Sequence, residues 1–179
     1  MMPAIAAALA EQVPSVLEIP SRRVIPRSRI FAPTLGALLH VVDRMRPLDR
    51  REIAGLGHPT DPAGLCAFML ALEPLCWIAV TRDGEPAYAF GIRCDLHDAW
   101  SIGGFATARW PEVLIGVTGF VGRMLRLVRS DRTGRIVECL SLAAKTDDHR
   151  WLRALGAEEV VTCPNFEGRG EAYKLFAWR

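Results

Sequence analysis

Residues Pro111 to Arg129 constrain this chain more than any other stretch. Val113, Val117, Phe120, Val121, Met124 and Val128 recur at three- and four-residue spacings, which puts them on one face of a helix that must bury them. Glu112, Gly116, Gly119, Arg123 and Arg126 make the opposite stripe. Glycines at 116, 119 and 122 each weaken the helix by up to about 1 kcal/mol relative to alanine. Their presence predicts close packing on that side, against a sheet or another chain, while Arg123 and Arg126 read as solvated.

Strand-like runs flank this helix. Trp100 to Phe105 precedes it and Ile136 to Leu142 follows. Leu75 to Thr81 and Ala87 to Ile92 read as a hairpin closed by Arg82-Asp83-Gly84-Glu85, because Asp-Gly tolerates the positive φ of such turns. Glu159 to Cys163 and Ala172 to Trp178 are two more strands, joined through the turn-rich Pro164 to Gly170. Leu39 to Met45 reads as a strand as well. Pro47 to Leu56 reads as a short helix stopped by Gly57. Asp61 caps a helix with Pro62 in its first turn, running to about Glu73. Asp147 caps a helix from Asp148 to Leu155 that ends at Gly156. The order β-α-α-β-β-β-α-β-α-β-β predicts an α/β (α+β) chain, a mixed sheet with helices on its faces.

With 179 residues the chain is long enough for one domain and an arm. Residues 1 to 35 hold Pro3, Pro14, Pro20, Pro26 and Pro33 and the basic cluster Arg22, Arg23, Arg27 and Arg29, which predicts an arm that is either solvated or laid on a partner or nucleic acid. Residues 36 to 179 form the domain. The net charge of +2 neither demands nor excludes nucleic acid, so Arg22 to Arg29 with Arg123, Arg126, Arg129 and Arg132 is only a weak phosphate-binding candidate. The five cysteines form no C-x-x-C pair and no metal-ligand set, and a reducing compartment is expected. No apolar run is long enough to span a bilayer, and Met1 to Ala10 makes a poor signal peptide.

The segment Arg150-Trp151-Leu152-Arg153-Ala154-Leu155-Gly156-Ala157, followed by an acidic strand, resembles the penultimate helix and turn of the GNAT N-acetyltransferase superfamily. The element order agrees with that fold from about residue 36 onward. The same segment and Trp100-Ser101-Ile102-Gly103-Gly104 are similar to a tailed-phage branch, including the internal virion protein A family of short-tailed phages. The resemblance implies a mixed, mostly antiparallel sheet flanked by helices, with an N-terminal arm. It also implies acetyl-CoA as donor if the chain is an enzyme.

In active GNAT domains the central strand leads into a glycine-containing loop whose amides hold the diphosphate of acyl-CoA at a helix N-terminus. Here the matching stretch is Phe105-Ala106-Thr107-Ala108-Arg109-Trp110-Pro111-Glu112. It has no glycine, Pro111 lacks a donor, and Glu112 opposes a phosphate. By this match Phe105, Thr107, Arg109 and Trp110 are the cofactor-binding candidates. Lys145 joins them, standing where the family often has an asparagine. The family's thiolate-protonating tyrosine corresponds to Leu152, which has no proton to give. The central strand offers no carboxylate base. Asp95, His97 and Asp98 lie just before it, and His97 could act as a base near neutral pH.

These absences favour a non-catalytic virion or assembly component, in the virion or the host cytoplasm. It would contact other virion proteins through the arm and exposed tryptophans such as Trp110, and could form a homo-oligomer. The alternative is an acyl-CoA-dependent N-acetyltransferase with an atypical diphosphate loop. No catalytic residue is assigned.

Overall fold

The computed structural model describes residues 29–72, 75–94, 99–130, 136–168 and 170–178. Seven strands form one sheet: β1 (Arg29–Phe31), β2 (Cys76–Val80), β3 (Pro86–Cys94), β4 (Trp100–Ala106), β5 (Val137–Leu142), β6 (Glu158–Cys163) and β7 (Tyr173–Trp178). Their spatial order is β1-β2-β3-β4-β5-β7-β6. Every neighbouring pair is antiparallel except β4 with β5. That one parallel pair is what a strand–helix–strand crossover through the long amphipathic segment must produce. The mixed sheet expected from the sequence is the one observed.

Among the described residues five helices flank it: α1 (Leu35–Asp43), α2 (Pro47–Gly55), α3 (Pro62–Leu70), α4 (Trp110–Ser130) and α5 (Thr146–Ala154). They divide between two apolar layers. On one face, Val113, Val117, Phe120 and Val121 of α4, with Leu152 of α5, pack on Trp77, Phe90, Ile92, Trp100 and Trp178. Phe120 meets Trp77 edge-on with centroids 5.0 Å apart, a favoured aromatic arrangement. On the other face, Leu38, Val41 and Val42 of α1, Ile53 of α2 and Leu65 and Met69 of α3 cover Ile78, Ala89 and Phe105.

Of residues 39–45, expected as a strand, 39–43 are helical instead, and only Met45 makes a β-bridge, to Thr107. Thr34 caps α1 by accepting from the Ala37 amide. Leu38, Val41, Val42 and Met45 then face the core at helical spacing; the β-branched pair Val41-Val42 suggested extension, but burial along one face of a helix outweighs so weak a propensity. The expected arm also loses its last residues to the fold. Arg29–Phe31 pairs with β2 as an edge strand, and Arg22, Arg23 and Arg27 lie outside the described residues. Asp61 and Pro62 start α3 as expected, with Asp61 accepting from the Gly64 amide at 2.7 Å.

Helix α5 begins two residues earlier than expected. Lys145, not Asp147, sits at its cap position with no side-chain cap bond, and Asp147 and Asp148 lie in the first turn, where the helix dipole favours them.

Gly119 and Gly122 of α4 do not pack on the sheet. Gly119 is exposed, and a methyl group on Gly119 or Gly122 would approach only the tips of Arg123 and Arg126, at 3.8 and 3.9 Å. Arg123 and Arg126 are solvated, as expected. No helix among the described residues is long and apolar enough to cross a membrane.

Candidate functional site

The site follows from how β4 and β5 part. They share only two register positions, Trp100 with Val137 and Ser101 with Glu138. Beyond these, β4 runs on to Ala106 and β5 to Leu142 without a common hydrogen bond. A split sheet leaves backbone groups unpaired along both inner edges, and buried ones must find other partners.

At the wide end they find α2. The Ala106 amide donates to Asp49 Oδ2 at 2.9 Å, and the Ala106 carbonyl accepts from the Arg46 amide at 2.9 Å. Across the gap, the Leu142 amide donates to Glu52 Oε1 at 2.8 Å. Asp49 and Glu52 sit three residues apart and so share a helix face. One short helix therefore wedges the two strands apart. Lys145, at the start of α5, ties the wedge down. Its ammonium lies 2.6 Å from Glu52, 2.8 Å from Asp49 and 3.0 Å from Asp148. Arg46 adds a forked pair to Asp49, at 2.8 and 3.0 Å, and reaches Asp148 at 2.8 Å.

Two cations and three carboxylates thus close the wide end. Burial alone would lower the Lys145 pKa, but Glu52, Asp49 and Asp148 outweigh it and hold the ammonium above the usual lysine range. Burial pushes Asp148 up, and Lys145 and Arg46 more than reverse this, so it lies below the usual carboxylate range.

Between the paired apex and the wedge, a cavity of about 390 Å³ opens through the sheet. Its walls come from both helical layers: Leu56, Phe68 and Met69 on one side, Trp110, Trp151 and Leu155 on the other. Gly103 and Gly104 of β4 keep the window open. A methyl group on Gly104 would fall 2.6 Å from the Ala89 carbonyl and 2.6 Å from the Tyr88 hydroxyl. That glycine makes room for the phenol at the cavity wall. Burial holds the Tyr88 pKa above the usual phenol value, so near neutral pH Tyr88 keeps its proton and is able to donate it. Cys139, also on the wall, is pushed up to about 12 by burial and stays a thiol.

The residues anticipated around the diphosphate loop separate in the structure. Phe105 is buried under α1 and α3. Thr107 is buried, its Oγ1 accepting from the Arg109 amide at 3.2 Å and its carbonyl from the Trp110 amide at 3.2 Å. Arg109 turns away from the cavity to Glu112, with two bonds of 2.7 Å, and to Asp83 and Glu85. Trp110, expected as an exposed contact, is only 8% exposed. It packs on Tyr88 and meets Trp151 edge-on at 5.3 Å. The Trp151 indole N–H donates to Thr118 Oγ1 at 2.8 Å, linking α5 to α4. Lys145 lies in the wedge. Asp95, His97 and Asp98 are outside the described residues.

A diphosphate therefore finds little to hold it here. The amides of Arg109, Trp110 and Glu112 are spent internally, Pro111 has none, and three carboxylates surround the loop's arginine.

Two cavity residues were not anticipated. Tyr88 stands on the neighbouring strand β3, and Glu138 stands on β5 beside Ser101. Glu138 interrupts the apolar run of its strand, the one signal that marked it in the sequence.

Solved structures share this architecture. The chain superposes on a GNAT-family acetyltransferase from Bacillus anthracis with a TM-score of 0.62 at 8% identity, covering 87% of this chain and 96% of that one. The fold is the GNAT fold. The Escherichia coli ribosomal-protein-S18-alanine N-acetyltransferase matches with a TM-score of 0.58 at 15% identity, covering 84% and 92%. Salmonella typhimurium yncA, solved with its cofactor acetyl-CoA, matches with a TM-score of 0.60 at 11% identity, covering 86% and 94%. No family model matches the sequence, and no curated protein matches it. At these identities the GNAT likeness is one of fold. These structures do not show the finer similarity to a phage virion branch.

Proposed function

We propose that the chain is an N-acyltransferase that moves an acyl group from a thioester to an amine. The observation that carries this reading is the window between β4 and β5. It is open to both helical layers, so a thioester from one side and an amine from the other meet in the plane of the sheet. Holding two reactants in such contact supplies much of the rate of acyl transfer. The amine nitrogen forms its bond to the carbonyl carbon, the carbon–sulfur bond breaks, the amine proton passes to a carboxylate and the thiolate takes a proton from a neutral donor. Glu138 and Tyr88 are the lining groups suited to those two roles. Structures of the same fold solved as acetyltransferases, one of them with acetyl-CoA, support acetyl-CoA as the donor.

Calorimetry with acetyl-CoA, followed by thiol release in the presence of amines, tests this. Heat at micromolar to millimolar donor and amine-dependent release of thiol are expected. No heat at millimolar acetyl-CoA would remove the reading.

One observation favours a second reading. The loop before α4 turns its amides inward and surrounds Arg109 with Asp83, Glu85 and Glu112. A chain that has given up the diphosphate grip fits a binding or assembly role, with residues 1–35 as the contact segment and virion proteins or a second copy as partners. Silence in the acetyl-CoA titration, with the protein present in purified particles, would select it.

A further inference from the structure

The cavity has a polar strip across its floor that the wedge does not use. Register places Arg93 of β3 opposite Ser101 of β4, and Ser101 opposite Glu138 of β5. Residues opposite one another in a sheet point to the same face, and all three line the cavity. Among the described residues neither Arg93 nor Glu138 has an ion-pair partner. A cation and a carboxylate thus face one cavity from strands two apart, with a hydroxyl between them.

The span between them is selective. Strands lie ~4.8 Å apart, so the backbones of Arg93 and Glu138 are separated by roughly 10 Å along the sheet. The ammonium and carboxylate of an α-amino acid are ~3 Å apart. With a charge-assisted hydrogen bond of ~2.8 Å at each end they bridge roughly 8–9 Å. Two side chains rooted roughly 10 Å apart and lining one cavity can close on the two ends of such a zwitterion.

Above the strip the wall is apolar. Leu56, Leu65, Met69 and Leu72 line it, and the Phe68 ring lies against His58 with centroids 4.7 Å apart. Burial, and then Arg93, lower the His58 pKa, so this aromatic wall is uncharged near neutral pH. The other charged lining groups are Glu167, on the turn Phe166–Gly168, and the wedge residues Arg46, Glu52, Lys145 and Asp148, which are engaged with one another or with the strand ends.

We infer that the acyl acceptor is a free α-amino acid with a bulky apolar side chain, its carboxylate on Arg93, its ammonium on Glu138 and its side chain between α2 and α3. The inference rests on the acyl-transfer reading for the fate of the amine, but binding of the amino acid needs no acyl donor. On deprotonation the amine stands beside Ser101 at the apex of the window.

The test is calorimetry on the full chain without acyl donor, using L-phenylalanine, L-phenylalaninamide and hydrocinnamate as probes. L-phenylalanine is expected to bind at least tenfold more tightly than either analogue, because charge-assisted bonds contribute about tenfold or more each. Arg93→Gln should weaken L-phenylalanine about tenfold and leave the amide unchanged. Glu138→Gln should weaken L-phenylalanine and the amide alike and leave hydrocinnamate unchanged. Unaltered thermal melts of both variants confirm that the loss is local. The inference falls if L-phenylalanine gives no heat, if the amide binds as tightly as the acid, or if the double variant binds like the parent. The two proposals separate cleanly. Phenylalanine binding without acetyl-CoA heat removes acyl transfer and keeps the pocket, and acetyl-CoA heat without phenylalanine binding does the reverse.

Discussion

Asp49 accepts a hydrogen bond from the amide of Ala106, 57 residues further along the chain, at 2.9 Å. Both groups are fully buried, and the same carboxylate receives Arg46 and Lys145. Removing one charge from such a cluster strands the others. Lys145→Met should therefore destabilise the fold by about 3–5 kcal/mol, the range for breaking a buried pair from one side. Urea unfolding of the variant against the parent checks this, and a loss under 1 kcal/mol would mean that the cluster is hydrated.

The same cluster sets the acid limb of stability. The Asp148 pKa is depressed in the fold by Lys145 and Arg46, against the push of burial. A depressed carboxylate contributes stability that is fully present above its unfolded pKa of about 3.9 and is lost as pH falls through the folded value. Stability should thus fall below about pH 4 more steeply in the parent than in Asp148→Asn. Denaturant midpoints across that window would show the difference in slope. Lys145 acts at the alkaline end: its raised pKa keeps its contribution intact up to the unfolded lysine value of about 10.4, and the contribution is lost as pH rises through the folded value.

Gly104→Ala places a methyl group 2.6 Å from the backbone oxygen of Ala89, which cannot retreat without disturbing β3. A cost of about 1–3 kcal/mol is expected, as for other overpacked interiors. The Tyr88 hydroxyl must move as well, so any acyl-transfer activity should fall further than stability does. Thermal melts and initial rates on one preparation separate the two effects.

Tyr88→Phe keeps the ring contacts with Phe90 and Trp110 and removes only the hydroxyl. If that hydroxyl protonates the leaving thiolate, kcat should drop by about two orders of magnitude or more with KM little changed. Steady-state kinetics decides it, and an unchanged kcat would leave the phenol a packing role alone.

The sequence held the parts of this fold that obey a local rule. The stripe on Pro111–Arg129, the Asp83-Gly84 turn, the Asp61-Pro62 start and the Gly156 stop are written within a few neighbouring residues each, and the structure keeps all of them. In helix α1 the β-branched pair Val41-Val42 argues locally for a strand, whereas a buried face decides the outcome. The wedge was not legible at all. Lys145 stood out only as a substitution at a family position, and its partners Asp49 and Glu52 lie on a helix more than 90 residues earlier, so no spacing announced them. Arg109 carries the right charge for a diphosphate, yet Glu112 three residues on and Asp83 and Glu85 of the distant hairpin turn neutralise it. Tyr88 and Glu138 needed strand register to reach the cavity, and register was not available from the pattern of one strand.

The two-rung contact between β4 and β5 has a mechanical consequence. The sheet is in effect two panels, β1 to β4 and β5-β7-β6, joined on the sheet by a narrow hinge at one end and by a charged clasp at the other. Swinging the panels apart to admit a bulky molecule must undo the bonds of Asp49 and Glu52, so the clasp fixes how wide the passage can gape.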